Sequence, residues 1–272
     1  MLKQQHSGTL LVTAEDLIHK PIYVSQSSTL YDAVEKILSY NISGIVVLNG
    51  EKIGVLSQKD IAKALLEKPQ NMKKISCLQE MQELVLVDQY APVSNCASLM
   101  LDKKTNALGV KGPHGLLGIM TKHDLVRFYH QNVVDETELS DIMSVGSFFV
   151  PSSCSLYDAL TKMIENQISR LVVKEGDRPL GLVTYKSFLK NALTNANLRN
   201  DSIFCSDFGK TVKVKEILKG QIITVSINAN LAKVAKILID YRIHGVGVTK
   251  GQEIVGFVTE KDIVRQLSRI DV

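Results

Sequence analysis

Apolar side chains recur at helical spacing in four places along the 272-residue chain. Each place carries five apolar residues at positions i, i+3, i+4, i+7 and i+8, which form one face of an amphipathic helix. The four stripes begin at Leu30, Val93, Leu156 and Leu231. We therefore predict four helices that each bury one face.

Short apolar stretches surround each predicted helix. One precedes the stripe, and two more follow it, joined by a turn such as Asn49-Gly50. Stretches of this kind, bounded by turn residues, predict strands. A glycine in the last strand lies 24 or 25 residues after each stripe begins, and the four are Gly54, Gly118, Gly181 and Gly256. A further helix follows, so we predict an α+β repeat protein with the unit order strand, helix, strand, strand, helix.

An acidic residue followed by apolar residues precedes the first strand of every unit. These acids are Glu15, Glu80, Asp141 and Glu216. We interpret each as part of a single-turn lead-in to its repeat.

Each last strand runs into the same polar motif, Ser/Thr-x-x-Asp. The pairs are Ser57 with Asp60, Thr121 with Asp124 and Thr259 with Asp262, and the third copy has Thr184 with Ser187. This is the pattern of a helix capping box, in which the hydroxyl and the acid bond backbone N–H groups. A carboxylate can also accept the hydroxyl protons of a ligand, and a helix N-terminus attracts anions. Both interpretations stay open, because a cap uses only part of what the carboxylate can accept.

A basic residue comes just before the last motif position in every copy. These residues are Lys59, His123, Lys186 and Lys261. A cation in the first turn of a helix opposes the helix dipole, at a cost of roughly 0.3 to 1 kcal/mol. Its recurrence favours a bound anion nearby, although solvated lysines would also be tolerated there.

Composition narrows the classes of function. Apolar residues make up 45% of the chain and charged residues 22%, as in globular proteins. The net charge of +4 and the absence of tryptophan weigh against nucleic acid as a partner. With no leader and no apolar run of about 18 residues, we expect no membrane span and a cytoplasmic protein with reduced thiols. The spacing of cysteine and histidine predicts no metal site, and no catalytic arrangement predicts an enzyme.

The unit order, with Gly-apolar-apolar-Thr-x-x-Asp entering the last helix, resembles the CBS domain, named for cystathionine β-synthase. The likeness covers about residues 10 to 270 and implies repeats at 10–68, 76–131, 138–195 and 211–270. We expect an exposed linker loop at 196–210. In that family, successive repeats pair through their three-stranded sheets into Bateman modules. The resemblance therefore implies that repeat one pairs with two and three with four, and that two modules form a flat disc, as in the gamma subunit of AMP-activated protein kinase.

The resemblance also implies a ligand, an adenine nucleotide bound in the cleft between paired repeats. In that family the motif hydroxyl and acid hold the ribose hydroxyls. The ligand would be AMP, ADP or ATP, and no catalytic cofactor is expected. By match, the ribose contacts are Ser57, Asp60, Thr121, Asp124, Thr184, Thr259 and Asp262.

Arg170 and His244 are predicted phosphate contacts outside the motif. Arg170 begins a strand where gamma-subunit-like sequences often have a basic residue, and His244 lies one place earlier in the fourth repeat. We rank the cleft that combines Arg170 with Thr259 and Asp262 first, and expect weak or no binding at Thr184. The motif cations complete the predicted phosphate set, namely Lys59, His123 and Lys261.

Three hypotheses for function follow. The first is a non-enzymatic regulatory protein that binds AMP, ADP or ATP and signals energy state to an unidentified protein partner, in trans or through self-association such as a homodimer of the modules. The second is an interaction scaffold with empty clefts. The third keeps the fold but binds S-adenosylmethionine or RNA, and the weak charge and scarce aromatic residues count against RNA.

Overall fold

The structure of the chain, a computed structural model, describes residues 12–50, 52–134, 137–146, 148–218 and 221–270. Parts of the predicted repeats lie outside the described residues. These are residues 10, 11 and 51 of repeat one, residue 147 of repeat three, and residues 219 and 220 of repeat four.

All four predicted repeats contain the predicted elements in the predicted order. Repeat one consists of β1 (Tyr23–Ser25), α1 (Leu30–Ser39), β2 (Gly44–Asn49), β3 (Lys52–Ser57) and α2 (Gln58–Glu67). Repeat two, with its lead-in, consists of α3 (Cys77–Glu80), β4 (Gln82–Glu83), β5 (Leu86–Asp88), α4 (Val93–Asp102), β6 (Ala107–Gly112), β7 (Gly115–Thr121) and α5 (Lys122–Asn132).

The second half of the chain repeats this plan. Repeat three, with its lead-in, consists of α6 (Leu139–Ile142), β8 (Phe149–Pro151), α7 (Leu156–Glu165), β9 (Arg170–Glu175), β10 (Arg178–Thr184) and α8 (Tyr185–Asn195). After α9 (Asp207–Thr211), repeat four consists of β11 (Thr224–Ser226), α10 (Leu231–Asp240), β12 (Gly245–Lys250), β13 (Glu253–Thr259) and α11 (Glu260–Leu267). Every stripe helix begins at the first residue of its apolar stripe, so the α+β class and the helix positions are confirmed.

The three strands of each repeat form one sheet with a constant topology. The first strand runs parallel to the second, and the second runs antiparallel to the third. This register places the first residue of the second strand opposite the motif Ser or Thr. The opposed pairs are Gly44 with Ser57, Ala107 with Thr121, Arg170 with Thr184 and Gly245 with Thr259. Arg170 is therefore fixed beside the motif of its own repeat by the sheet.

Local hydrogen bonds and backbone geometry set the ends of the stripe helices. Before α1, the Asp32 carboxylate accepts the Thr29 backbone N–H at 2.7 Å and the Thr29 hydroxyl at 2.8 Å. Two residues past each stripe helix, the backbone is left-handed, with φ between 50 and 54°. A residue in this conformation turns the chain out of a helix toward the next element. The four residues are Asn41, Lys104, Gln167 and Arg242.

The repeats group into two compact units, each of which combines alternate repeats. Of the residues that the structure describes, the one–three unit contains those within 22–83 and 148–222, and the two–four unit contains those within 12–21, 84–146 and 223–270. In the one–three unit, α8 packs on α1 and α2, and α2 packs on α7. In the two–four unit, α5 packs on α10 and α11, and α11 packs on α4. Each unit therefore has one shared core, whereas the pairing of successive repeats through their sheets stays a prediction.

A short helical turn precedes each repeat, as the lead-in pattern predicts. The turns are Ala14–Leu17, Cys77–Glu80, Leu139–Ile142 and Val214–Ile217. After each of the first three turns, the chain crosses the last strand of a different repeat, and the bridged residues are His19 with Ile119, Glu83 with Gly54 and Ser144 with Phe257. The fourth turn contacts β10 and α8 of repeat three. We call these segments swapped lead-ins, because each packs on a repeat other than the one it precedes.

The repeated glycine is needed in repeats one, two and four because a swapped lead-in lies directly on it. A methyl group at Gly54 would lie 2.4 Å from the Met81 sulfur, and one at Gly256 would lie 2.7 Å from the Met143 sulfur. Both distances are far shorter than a van der Waals contact. A side chain at these positions must therefore displace the lead-in.

The linker at 196–210 is exposed at residues 197, 198, 200 and 201, but residues 202–204 are buried and contradict the exposed loop that we predicted. Ser202 is 2% exposed and Phe204 is fully buried, with its ring edge-on to Phe188 at a centroid distance of 5.6 Å. The Ser202 backbone N–H donates to the Pro69 carbonyl oxygen at 2.8 Å. The prediction is wrong because the polar composition of the segment hides an aromatic anchor that completes the core of the one–three unit.

The structure adds two findings on membrane contact and cysteine chemistry. Among the described residues, no helix combines the length and the apolar character that crossing a membrane requires. All four cysteines are free, and Cys77 and Cys96 are buried. Burial raises the pKa of Cys77 to about 12 and that of Cys96 to about 11. These two thiols are therefore packing groups and poor nucleophiles.

Replacing Gly54 with alanine tests the contact between the lead-in and the strand. We expect Gly54→Ala to lower the free energy of unfolding by roughly 1 to 3 kcal/mol, because the methyl overpacks the Met81 side chain. In a Met81→Ala background the same methyl has room, so the loss is expected to shrink. Urea unfolding of the four proteins in this double-mutant cycle measures the coupling. Strictly additive losses would show that Met81 is not the cause.

Candidate functional site

The motif side chains form helix caps. The Asp60 carboxylate accepts the Ser57 backbone N–H at 3.0 Å and the Ser57 hydroxyl at 2.5 Å. Repeats two and four have the same two bonds, from Thr121 to Asp124 at 2.8 and 2.6 Å and from Thr259 to Asp262 at 2.8 Å each. The capping interpretation is therefore confirmed, and the ribose-binding interpretation stays a prediction.

The motifs differ in how much of the acid remains available. Asp262 is 2% exposed, and its second oxygen, Oδ1, accepts an N–H of the Arg265 guanidinium at 2.8 Å. Asp60 is half-buried, and no hydrogen bond within the described part of the chain reaches its Oδ1. In repeat three, Ser187 replaces the acid and accepts the Thr184 backbone N–H at 3.2 Å. Asp60 thus keeps an accepting atom that Asp262 has already used.

A swapped lead-in reaches the motif of repeat two. His19 lies with its Nδ1 3.3 Å from Asp124 Oδ2, and Arg127 Nη1 lies 3.6 Å from Oδ1. Burial disfavours the charged form of Asp124, but hydrogen bonds from His19 and Thr121 outweigh it and hold the pKa of this carboxyl below its ordinary value. The Asp124 carboxylate therefore has partners on both oxygens.

His123 and His244, two of the predicted phosphate contacts, meet on one buried carboxylate. Their Nδ1 atoms lie 2.9 and 3.0 Å from Glu260 Oε1. Burial disfavours the charge on Glu260, but hydrogen bonds from the two imidazoles outweigh it and lower the pKa of this carboxyl to about 2. Glu260 is therefore an anion at neutral pH. A phosphate at these histidines would meet a like charge, although their predicted phosphate role remains untested.

Basic side chains dominate the motif region of the one–three unit. Arg170 is 7% exposed, and its Nε and Nη2 groups donate to Ser169 Oγ at 3.3 and 3.2 Å. Lys59 lies in the first turn of α2, and Lys186 lies in the first turn of α8. Partial burial and the nearby Lys190 ammonium lower the pKa of Lys186. The first turns of α5 and α11 also carry two lysines, Lys122 and Lys261, but three acids lie beside them, namely Asp124, Glu260 and Asp262. The balance of charge is therefore more positive in the one–three unit.

The first turns of α2 and α8 lie close together. Lys186 Nζ in α8 donates to the Asn41 side chain of repeat one. Burial is the main cause of the raised pKa of Tyr185 in α8, and the negative charge of Asp60 in α2 contributes to it. Because α2 packs on α8, the first turn of α8 reaches repeat one near the N-terminus of α2. Asp60 is the one acid in these two first turns.

Comparison with known families identifies the repeat. A sequence profile for the CBS domain matches residues 14–67, 139–193 and 214–269, which together make up more than half of the chain. The chain belongs to the CBS-domain family. The matched segments are CBS repeats one, three and four. CBS repeat two has the same elements in the same order and is assigned from its structure.

Two solved structures share the four-repeat CBS fold over nearly the whole chain. Protein MJ1225 from Methanocaldococcus jannaschii, described as a candidate archaeal homologue of g-AMPK, has a TM-score of 0.80 over 94% of this chain and 99% of that chain, at 20% identity. A conserved uncharacterized protein from Pyrococcus horikoshii has a TM-score of 0.62 over 94% of this chain and 100% of that chain, at 18% identity. At such identities the likeness establishes the fold alone.

Two of the similar curated proteins are uncharacterized proteins from one archaeon. MJ1404 from Methanocaldococcus jannaschii is 27% identical over 191 residues, which are 67% of this chain and 44% of that protein. MJ1225 is 22% identical over 194 residues, which are 68% of this chain and 66% of that protein. This chain therefore matches less than half of the length of MJ1404.

Two residues that contact the CBS motifs, Glu260 and His19, were not among the predicted site residues. Glu260 stands where the other repeats have Gln58, Lys122 and Tyr185, so an acid at this motif position was a signal that could have been read. His19 offered no such signal, because it belongs to a lead-in outside the repeat pattern. Its contact with Asp124 depends on the crossing of the chain onto CBS repeat two.

Removing the motif carboxylate is expected to have different consequences in two CBS repeats. Asp262→Ala should lower the free energy of unfolding by roughly 3 kcal/mol, because it deletes a buried cap and leaves Arg265 without its carboxylate. Asp60→Ala is the matched control, and it should cost roughly 1 kcal/mol as the loss of a cap. Thermal and urea unfolding of both variants measure the difference. Equal losses would contradict the distinction drawn from the burial of Asp262.

Proposed function

We propose that this protein is a non-enzymatic regulatory protein that binds an adenine nucleotide, AMP, ADP or ATP, at the motif region of its one–three unit. The observation that carries the proposal is the approach of two helix N-termini, those of α2 and α8, among basic side chains. Backbone N–H groups and the helix dipole at such ends favour phosphate.

The ribose and the phosphates of a nucleotide each find a chemical counterpart in this region. Asp60 has an oxygen available to accept ribose hydroxyl protons, beside the hydroxyl of Ser57. Lys59 and Lys186 offer ammonium groups to phosphate oxygens. Arg170 offers a guanidinium fork that suits phosphate geometry, beside Thr184 in the register of the sheet.

The two–four unit is the weaker candidate for the same ligand. Its Asp262 is buried and paired with Arg265, and Glu260 places a negative charge beside both histidines. The sequence ranks the cleft of Thr259 and Asp262 first because it combines these ribose contacts with Arg170, but the sequence does not indicate that Asp262 is buried and paired. We therefore propose Ser57 and Asp60 as the main ribose contacts, with Thr121, Asp124, Thr259 and Asp262 as secondary candidates.

Family membership supports a regulatory role. CBS domains are generally regulatory modules, and adenine nucleotides are their common ligands. The description of MJ1225 as a candidate homologue of g-AMPK points in the same direction. We propose that nucleotide binding changes the affinity of this chain for a protein partner or for a second copy. Such coupling requires that the nucleotide bind one state of the protein more tightly than the other.

Thermal unfolding with AMP, ADP, ATP and S-adenosylmethionine tests the proposal. At 100 times its dissociation constant a ligand adds about 2.7 kcal/mol of stability, which raises the Tm of a chain of this size by several degrees. A shift with an adenine nucleotide and none with S-adenosylmethionine is expected. A lack of response to all four would favour an interaction scaffold with empty clefts. In that case the motif side chains would serve only as helix caps.

Variants of Arg170 and Lys186 test whether these side chains contact the phosphates of a bound nucleotide. Arg170→Ala and Lys186→Ala are expected to weaken ATP and ADP binding about tenfold each and to leave adenosine binding nearly unchanged, because only the phosphates lose partners. Lys261→Ala is the matched control, since this lysine holds the same motif position in repeat four. Isothermal titration measures the affinities. Equal losses for adenosine and ATP, or a larger loss in Lys261→Ala, would contradict the assignment.

A further inference from the structure

A cluster of three side chains in the two–four unit, His123, His244 and Glu260, has the composition of a metal site. Two imidazole nitrogens and a carboxylate oxygen lie within 4.8 Å of one another. We infer that this His–Glu–His cluster binds a divalent transition metal ion of the zinc type, with water as the fourth ligand. The inference is independent of the nucleotide proposal, because it uses a different unit.

The distances within the cluster suit a small metal ion. Zinc bonds of about 2.0 to 2.2 Å to nitrogen and oxygen place the ligand atoms of a tetrahedral site about 3.3 to 3.6 Å apart. The nitrogen-to-oxygen distances, 2.9 Å for His123 and 3.0 Å for His244, are somewhat shorter than that spacing. The two rings are edge-to-face with centroids 6.4 Å apart. The histidine and glutamate side chains must therefore move slightly apart to admit the metal.

The three ligands are held by well-packed elements. Glu260 is the first residue of α11, and its backbone N–H donates to the His244 carbonyl oxygen at 3.3 Å, so these two positions are fixed to each other. His123 lies in the first turn of α5, which packs against α11. Because these elements already hold the three ligand side chains close together, the side chains need to rearrange less when a metal ion binds.

Charge and access also fit a cation. The side chain of Glu260 is 11% exposed, so its negative charge lies in a region where a cation gains more than it would in water. The neighbouring Lys122 ammonium donates to Asn106 Oδ1 at 3.0 Å and also interacts with the charge of Glu260, so a metal ion would share this carboxylate with one ammonium group. The His244 side chain is 44% exposed, which leaves a side open to solvent for a water ligand.

The one–three unit shows that the fold does not impose this cluster. At the equivalent positions it has Lys186 for His123, Ser43 for His244 and Gln58 for Glu260. The Gln58 amide donates to the Ile42 carbonyl oxygen at 2.8 Å. The same backbone framework is therefore stable without any metal-binding side chain. The donor set is specific to repeats two and four.

Zinc and cobalt titration of the full-length, tag-free chain, stripped with a chelator, tests the inference. We expect one Zn²⁺ per chain by isothermal titration, and visible Co²⁺ absorption bands with the intensity of a four-coordinate nitrogen and oxygen site. Strong near-ultraviolet bands from cobalt bound to thiolate would place the metal at a cysteine and overturn the inference. A lack of stoichiometric binding would also overturn it.

Three variants assign the ligands. His123→Gln, His244→Gln and Glu260→Gln are each expected to weaken zinc binding at least about 100-fold. His19→Gln is the matched control, because His19 also contacts a motif carboxylate but has no second histidine beside it. His244 is half-exposed, so its variant should keep its fold, which circular dichroism verifies. Unchanged affinity in folded His244→Gln, or an equal loss in His19→Gln, would overturn the assignment.

Discussion

The burial of helical faces between alternate repeats is the interaction on which the rest of the structure depends. A three-stranded sheet with two helices leaves apolar helix surface that the repeat itself cannot cover. In both units this surface packs against a second repeat, and stripe residues such as Leu30 and Leu231 are fully buried. Full burial of a leucine contributes roughly 1.5 to 3 kcal/mol, so the shared cores stabilise all four repeats.

This helix packing also determines where chemistry can occur. The helices that begin at the Ser/Thr-x-x-Asp motifs pack on each other within each unit, α2 on α8 and α5 on α11. In the two–four unit their first turns meet where His123 contacts Glu260. The same geometry then holds different side chains. In one unit a lysine approaches an asparagine, and in the other two histidines share a buried glutamate. The two units thus differ in side-chain chemistry at three equivalent positions, where Lys186, Ser43 and Gln58 stand in place of His123, His244 and Glu260.

Much of the fold could be predicted from the sequence because the signals are local. Helical spacing located the stripe helices, and the motif predicted the caps. The choice of helix partners depends on contacts between distant residues, which periodicity does not report. His123 and Glu260 are 137 positions apart, and no spacing rule connects them. Phe204 was missed for a related reason, since its polar neighbours dominate the composition of the linker. The sequence therefore predicted the site residues that recur in every repeat, but not the contacts that distant repeats make with them.

The chain passes from one unit to the other at residues 21–22, 83–84, 146–147 and 222–223, so neither unit is continuous in sequence. A gene fragment encoding repeats one and two would carry one repeat from each unit, with both helical faces open to water. Such a fragment would need a second copy of itself to cover them. The four-repeat chain is thus arranged like a homodimer of a two-repeat protein whose two copies are joined covalently. The linkage keeps the two halves at a high effective concentration. Because the two halves are joined in one chain, their sequences need not be identical, so the two units can carry different side chains at equivalent positions.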